Sequence, residues 1–258
     1  MTEVLQALLE SWRGPAIVAA IVFLRVGAVM ALMPGFGEKV VPGRVRLVLA
    51  LGFTAIVAPA VAPALSGLVG GQIGFARLLL SETLIGLALG LVLRLFILAL
   101  EMAGTLAAQS GSLSQMFGAG GEPMPAISHL LVMSGLCLAF MSGLHVRLAS
   151  ALILSYQALP AGVVPGASLM RDWGLAQIGH AFALAFSLAA PFVIAALIYN
   201  LALGVINRAM PSLMVTFIGA PALTAGALIL LAIATPMMLA VWQAGFTTFL
   251  ADPFTVPR

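Results

Sequence analysis

Charged side chains are scarce in this sequence. Only 7% of its 258 residues are Asp, Glu, Lys or Arg, whereas a typical soluble domain carries about 25%. Several long stretches contain none of them, among them those between Arg46 and Arg77, between Asp172 and Arg208, and between Arg208 and Asp252. Each stretch exceeds the roughly 20 residues that a helix needs to cross a bilayer. Because so few charges cannot cover a water-exposed surface, the chain is predicted to be an integral membrane protein and not a soluble enzyme.

Cysteine, histidine and basic residues are also few. The single cysteine, Cys137, can form no internal disulfide, and because it lies in an apolar run we expect it to be a small buried residue. His129, His145 and His180 lack the spacing of a zinc site, so no metal or other cofactor is expected. The net charge of +3 comes from scattered residues, which do not form the clustered basic face that nucleic-acid binding requires.

Apolar residues make up 62% of the chain and form long runs that proline and glycine interrupt. They predict an all-α, polytopic membrane protein of kinked helical hairpins, with the fourth helix broken near Gly143. The predicted helices span about 16–33, 46–62, 76–108, 126–158, 175–206 and 213–249. Pro191, Pro211, Pro221 and Pro236 predict kinks. Since no sizeable extramembrane region is left over, residues 1–258 are expected to form a single membrane domain.

Charged residues inside the predicted spans require a partner or water, because each costs roughly 2.5 to 3.5 kcal/mol on insertion scales. They are Arg25, Glu82, Arg94 and Glu101. On the third helix, Glu82, Gly86, Gly90 and Arg94 recur at steps of four, and Glu101 follows on nearly the same face. The glycines favour close packing of another helix. An ion or proton pathway and a set of packing and pairing positions between subunits both fit this face. We favour packing and pairing, because a pump more usually places carboxylates on several spans.

A polar segment rich in glycine and serine, residues 109–123, separates the third and fourth predicted helices. Its backbone would be unsatisfied in lipid, so it must be wet or buried in protein. A re-entrant loop that closes a pore would have this composition, and so would an ordinary surface loop. The flexible thioether of Met116 can pack against irregular partners, which slightly favours a seal.

The same segment supplies the serines of the only candidate hydrolytic site. An intramembrane serine hydrolase needs a serine that a nearby histidine activates, and the candidates are Ser110 or Ser112 with His145. No third residue orients that set, and serines in glycine-rich stretches commonly bond the backbone. The sequence therefore predicts no enzymatic activity.

Several motifs together resemble the FliR family of flagellar export-gate proteins, whose counterparts serve type III secretion injectisomes. The likeness extends over nearly the whole chain. Its most specific part is residues 200–211, Asn-Leu-Ala-Leu-Gly-Val-Ile-Asn-Arg-Ala-Met-Pro. The other motifs are residues 34–37, 41–46, 82–90, 101–104, 143–145, 155–162 and 217–221.

The resemblance implies a subunit of the flagellar type III export gate. Such a subunit forms, with several copies of FliP and FliQ, the gated entrance channel for unfolded flagellar proteins. It implies a multi-pass protein of the bacterial inner (cell) membrane and flagellar basal body, with FlhB and FlhA as further partners. Residues 1–175 would be FliP-like, with helices 1–4 and a plug loop over 109–125, and residues 176–258 FliQ-like, with helices 5–6. The alternative is a self-contained small-molecule or ion transporter in which Glu82, Arg94 and Glu101 line a substrate site.

The resemblance also assigns roles to individual residues. In the family, the polar loop after the third helix contributes a plug that closes the channel at rest. By position the plug residues here are Gly111, Ser112, Leu113, Met116, Phe117, Gly118, Glu122 and Pro123. At the turn between helices 5 and 6, the residues expected to support assembly are Asn200, Asn207, Arg208 and Pro211.

Overall fold

The computed structural model describes residues 2–35, 41–69, 74–110, 126–209 and 215–254. Within these ranges the chain forms seven α-helices and no strand, so the predicted all-α class is confirmed. The helices are α1 (Thr2–Leu32), α2 (Gly43–Val69), α3 (Phe75–Ser110), α4 (Ala126–Met141), α5 (Leu144–Ala158), α6 (Ala167–Ala209) and α7 (Val215–Ala251).

The described helices are long and apolar enough for a multi-pass membrane protein. Five of them could each cross a bilayer, and α4 with α5 would make a sixth, broken span. The break falls where the sequence predicts it: Gly143 has φ 79°, in the left-handed region that favours glycine. The Gly143 carbonyl then accepts the backbone N–H of Val146 at 3.0 Å, at the start of α5.

Helix bounds differ most from prediction near prolines. The helix α1 runs through Pro15, and α2 runs through Pro59 and Pro63 to Val69, so both are longer than expected. Proline is tolerated inside membrane helices because neighbouring groups can satisfy the freed carbonyls. The helices also continue through Pro191 and Pro236, and the kinks expected there stay predictions.

Two compact units emerge from the packing. Unit 1 comprises the described residues within 1–95, 142–178 and 246–258, and its core contains Val22, Val26 and Leu148. In unit 1 the indole N–H of Trp173, near the start of α6, donates to the carbonyl oxygen of Pro253 at 3.1 Å. This bond ties the beginning of α6 to the residues that follow α7.

Unit 2 comprises the described residues within 96–141 and 179–245. They are the end of α3, all of α4, α6 from Gly179 to its end and α7 from its start to Gly245. Its largest fully buried side chain is Trp242, whose indole N–H donates to the carbonyl oxygen of Phe96 at 2.7 Å. The indole also packs over Gly135 of α4. A glycine at this position therefore makes room for the tryptophan between helices.

The expectation that Cys137 is buried is wrong. The buried side of α4 carries Leu131, Val132, Gly135 and Ala139, and Cys137 lies on the exposed side. In a membrane helix the lipid-facing and protein-facing sides are both apolar, so an apolar neighbourhood in the sequence does not indicate which side a residue occupies.

Two glycines bring α1 and α3 into backbone contact in unit 1. A Cβ atom added to Gly86 would meet the carbonyl oxygen of Arg25 and would lie 2.7 Å from Cβ of Ala28. One added to Gly90 would lie 2.9 Å from the carbonyl oxygen of Val29. The structure thus places the glycine face of α3 directly against α1, and any larger residue there would push the helices apart.

We expect Gly86→Ala to lower the free energy of unfolding by about 1 to 3 kcal/mol, the usual cost of overpacking. The matched control is Gly52→Ala, where an added Cβ meets no atom within 4 Å; it should raise stability by up to about 1 kcal/mol, since alanine favours the helix. Denaturant titration of the purified protein in detergent measures both. Equal effects of the two substitutions would contradict the contact.

Candidate functional site

A buried ion pair joins α1 to α3. The guanidinium of Arg25 donates through Nε to Oε2 of Glu82 at 2.8 Å and through Nη2 to Oε1 at 3.2 Å. Neither side chain has any solvent exposure. This two-pronged arrangement matches the planar guanidinium to the carboxylate and is the strongest geometry available to such a pair.

The remaining polar groups of the pair bind the end of α5 and the loop that follows it. Arg25 Nη1 donates to the hydroxyl of Ser155 at 2.9 Å, and Nη2 donates to the carbonyl oxygen of Leu159 at 2.9 Å. Oε1 of Glu82 also accepts the backbone N–H of Gly162 at 3.3 Å. The pair therefore holds α1, α3, α5 and the connection between α5 and α6 at one point.

An aromatic ring covers the guanidinium. The Cζ atom of Arg25 lies 3.7 Å from the ring centroid of Tyr156, close enough for a cation–π interaction. The hydroxyl of Tyr156 is buried. We call the set of Arg25, Glu82, Ser155, Tyr156, Leu159 and Gly162 the Arg25 cluster.

Local geometry explains why these residues meet. The glycine contact at Gly86 brings the Arg25 turn of α1 against α3, one turn beyond Glu82. The hydroxyl of Ser155 donates to the carbonyl oxygen of Leu152 at 2.6 Å, which leaves its lone pair to accept from Arg25. Gly162 has φ 76°, a conformation that turns the loop back towards Glu82 and that other residues rarely adopt.

The Arg25 cluster is suited to holding helices together and not to conducting ions. Two buried charges lose their hydration, and only close pairing with further hydrogen bonds offsets that cost. Here each partner neutralises the other, and both have additional partners. The sequence predicts pairing between subunits, but Arg25 and Glu82 pair inside one chain. The close contact of α1 with α3 brings the two residues together.

Two other charged residues of the predicted face lie apart from the cluster. Arg94 is exposed, and it forms no ion pair with any residue in the described ranges. Glu101 is partly exposed, and its carbonyl oxygen accepts from the hydroxyls of Thr105 and Ser128 at 2.8 and 2.9 Å. Of the five predicted positions, the structure brings Glu82, Gly86 and Gly90 together with α1.

Three of the four residues predicted at the turn between the last two helices belong to α6. Asn200 is exposed, and so is Arg208 in the last turn of α6. The helix dipole stabilises a positive charge at this end of a helix. Asn207 belongs to the same helix. Pro211 lies outside the described residues, as do all the predicted plug residues, Gly111, Ser112, Leu113, Met116, Phe117, Gly118, Glu122 and Pro123.

The candidate catalytic and metal-binding groups find no support in the described part of the chain. The hydroxyl of Ser110 donates to the carbonyl oxygen of Ala107 at 2.8 Å, as expected of a serine that bonds the backbone, and His145 is exposed. Ser112 lies outside the described residues. No group of three or more His, Cys, Asp or Glu side chains that could hold a metal ion occurs in those ranges.

Sequence reasoning identified Arg25 and Glu82 as charges in need of partners but missed the other members of the cluster. In the sequence, Ser155, Leu159 and Gly162 stand out only as parts of a motif that resembles the FliR family. The signal that could have found them is the contrast between polar or glycine residues at 155–162 and the apolar run before them. Two of the contacts in the cluster involve backbone groups, and the type of a residue does not show what its backbone groups bind.

Comparison with known proteins matches most of the chain to one family of bacterial export proteins. The model of the family described as bacterial export proteins, family 1, matches residues 16–249. The chain is 33% identical over 243 residues to the flagellar biosynthetic protein FliR of Caulobacter vibrioides, covering 92% of this chain and 96% of that one. It is 29% identical to the protein of that name from Aquifex aeolicus, with 88% of each chain covered. The Escherichia coli protein of that name is 32% identical over 209 residues, 77% of this chain and 76% of the relative.

We expect Arg25→Met to destabilise the protein by about 3 to 5 kcal/mol, because it leaves Glu82 buried without a partner. The double variant Arg25→Met with Glu82→Leu should recover more than half of that loss, since no lone charge remains. The control is Arg171→Met, which removes an exposed pair with Asp172 and should cost less than about 1 kcal/mol. Thermal unfolding in detergent measures all three; a double variant as unstable as the single one would contradict the pairing.

Proposed function

Because this chain belongs to family 1 of the bacterial export proteins, the family of the flagellar FliR proteins, we propose that it serves as a non-enzymatic subunit of the flagellar export apparatus. The observation that carries this function is the family match over residues 16–249. The five or six candidate spans among the described helices fit a multi-pass protein of the bacterial inner membrane within the flagellar basal body.

We further propose that the chain joins several copies of FliP and FliQ in the gated entrance channel, with FlhB and FlhA as neighbours and unfolded flagellar proteins as substrates. Exposed apolar surface supports this. Within the chain, only 33% of an apolar stretch of α6 and 11% of one of α7 are buried. These helices can cover large subunit interfaces as well as contact lipid.

The proposed division into a FliP-like part, residues 1–175, and a FliQ-like part, residues 176–258, assigns most of α6 and all of α7 to the FliQ-like part. The low burial of α7 supports a helix that completes its packing on other subunits. The alternative of a self-contained transporter has less support, because Glu82 is buried and paired with Arg25. That carboxylate is not free to bind a substrate.

We propose that residues 111–123 form the plug of the channel. The support is positional: the segment connects the end of α3 at Ser110 with the start of α4 at Ala126, and its glycines and polar residues require water or protein around it. Met116 and Phe117 are its bulky apolar residues and would fill the opening.

Deletion of residues 111–121 should leave the complex with FliP and FliQ intact but permeable to ions and small solutes at rest. Reconstituted vesicles loaded with a fluorescent ion indicator measure the leak. Deletion of an equal length from the N-terminal end of α1, residues 2–12, serves as the control and should leave the complex tight. An assembled deletion complex that does not leak would refute the plug.

Substitutions near the turn between α6 and α7 should weaken assembly with FliP and FliQ and leave the channel closed at rest. Interface arginines that act as hot spots contribute about 2 kcal/mol or more, so Arg208→Ala should weaken association about thirtyfold. Arg77→Ala, at an exposed position in the first turn of α3, is the control and should co-purify normally. Asn207→Ala should likewise weaken association with FliP and FliQ. Normal recovery of FliP and FliQ with both turn variants would contradict this role.

A further inference from the structure

The exposed side of α3 in unit 1 is a narrow strip. Among residues 81–95, all of which the structure describes, the exposed ones are Leu84, Leu87, Leu91 and Arg94. Together with the exposed Leu80, they recur at alternating steps of four and three residues. This average spacing of 3.5 residues is the pattern by which one helix packs along another. We call Leu80, Leu84, Leu87, Leu91 and Arg94 the Arg94 strip.

The strip has the width of a single helix contact. Its leucines are only 40% to 55% exposed, and the residues beside them, Thr83, Ala88 and Leu95, are half-buried. The opposite side of α3 carries Gly86 and Gly90, which contact α1. A seam of alternating fours and threes is narrower than the apolar face of an ordinary surface helix. The free surface of α3 in unit 1 therefore suits one further helix.

Arg94 lies near the middle of α3. It follows the first residue, Phe75, by 19 residues and precedes the last, Ser110, by 16. The nearer end of the helix is thus about 24 Å away along the axis. Arginines that reach the lipid headgroups lie near helix ends, and Arg94 is far from both ends. A lipid phosphate is therefore a poor partner for this charge.

The charge of Arg94 is not neutralised within the described part of the chain. Neither ion pair found there involves Arg94, and the carboxylate of Glu82 is already paired with Arg25. Glu101 lies seven residues further along α3, about 10.5 Å away along the axis. A guanidinium among leucines at membrane depth is costly, and close pairing with a negative charge offsets that cost. Charge complementarity thus calls for a carboxylate on another helix.

We propose that the Arg94 strip is a docking surface for one apolar helix of a neighbouring membrane subunit, which places an Asp or Glu carboxylate against Arg94. The leucines pack along that helix, and the charge pair fixes its register, because any other helix or register leaves Arg94 unpaired in the contact. This inference rests on the proposed function and deepens it, since it names the chemistry of a surface by which the chain joins FliP or FliQ.

Removal of the charge distinguishes a protein partner from lipid. Arg94→Leu should weaken association with FliP and FliQ at least about thirtyfold, because the partner's carboxylate is left buried and unpaired. The matched control is Arg147→Leu, at an exposed arginine near the start of α5, which should associate as the wild type does. Titration of the detergent-solubilised chain with purified FliP and FliQ measures both. Undiminished association of Arg94→Leu means that Arg94 faces lipid or water, and overturns the inference.

The stability of the chain on its own separates docking from folding. Thermal unfolding of Arg94→Leu without FliP and FliQ should occur at the wild-type temperature or above it, since only an exposed charge is lost. A lower unfolding temperature would place the partner of Arg94 within the chain and overturn the inference. If the wild-type chain does not associate with FliP and FliQ, the proposed function fails and this inference with it. Equal association of the wild type and Arg94→Leu removes the inference alone.

Charge exchange identifies the partner residue. Arg94→Glu should prevent association, and a change of one Asp or Glu to Lys in an apolar span of FliP or FliQ should restore it. Photoreactive residues in place of Leu84 and Leu91 should then form adducts with that same helix, at sites about seven residues apart. Failure of every such exchange to restore association, or adducts with lipid alone, would rule out the docking surface.

Discussion

Burial of a positive charge against a negative one is the constraint on which unit 1 depends. Arg25 and Glu82 have no solvent exposure, and either would destabilise an apolar bundle severely if left alone. Their pairing requires α1 to touch α3, and the touching requires Gly86. The additional bonds to Ser155, Leu159 and Gly162 extend the same requirement to α5 and to the start of the next connection. The need to neutralise these two buried charges thus fixes the arrangement of three helices and a loop.

In this protein glycines hold the helices together, a role that large apolar side chains have in a soluble core. Lipid is as apolar as leucine, so little is gained by moving leucine from lipid to protein, and helices associate through close backbone approach and hydrogen bonds. Gly86 and Gly90 serve α1 and α3 in unit 1, and Gly104 and Gly135 serve the contacts of α3 and α4 in unit 2. Each of these glycines faces an atom of a neighbouring helix, whereas Gly52, Gly174 and Gly179 face none within 4 Å.

Much of the helical fold could be predicted from the sequence because lipid imposes simple rules on length and charge. The all-α class and the break at Gly143 are confirmed, and Arg25 and Glu82 were identified as charges that needed partners. Helix ends near Pro15 and Pro63 were missed, because proline limits helices less in a membrane than in water. The burial of Cys137 was wrong, since both sides of α4 are apolar. The further partners of the ion pair could not be predicted, because two of them are backbone groups: the carbonyl of Leu159, which binds Arg25, and the N–H of Gly162, which binds Glu82.

The Arg25 cluster also has a consequence for the order in which the protein is made. Arg25 precedes Glu82 by 57 residues, Ser155 by 130 and Leu159 by 134. During synthesis from the N-terminus, α1 therefore carries a lone charge until α3 has emerged, and the guanidinium gains its last partners only after α5 is complete. The first span reaches the membrane before the residues that pair with its charge have been synthesised. The free energy of its insertion therefore depends on residues that are added later. A nascent chain that stops before residue 82 therefore carries an unpaired Arg25 in its first span.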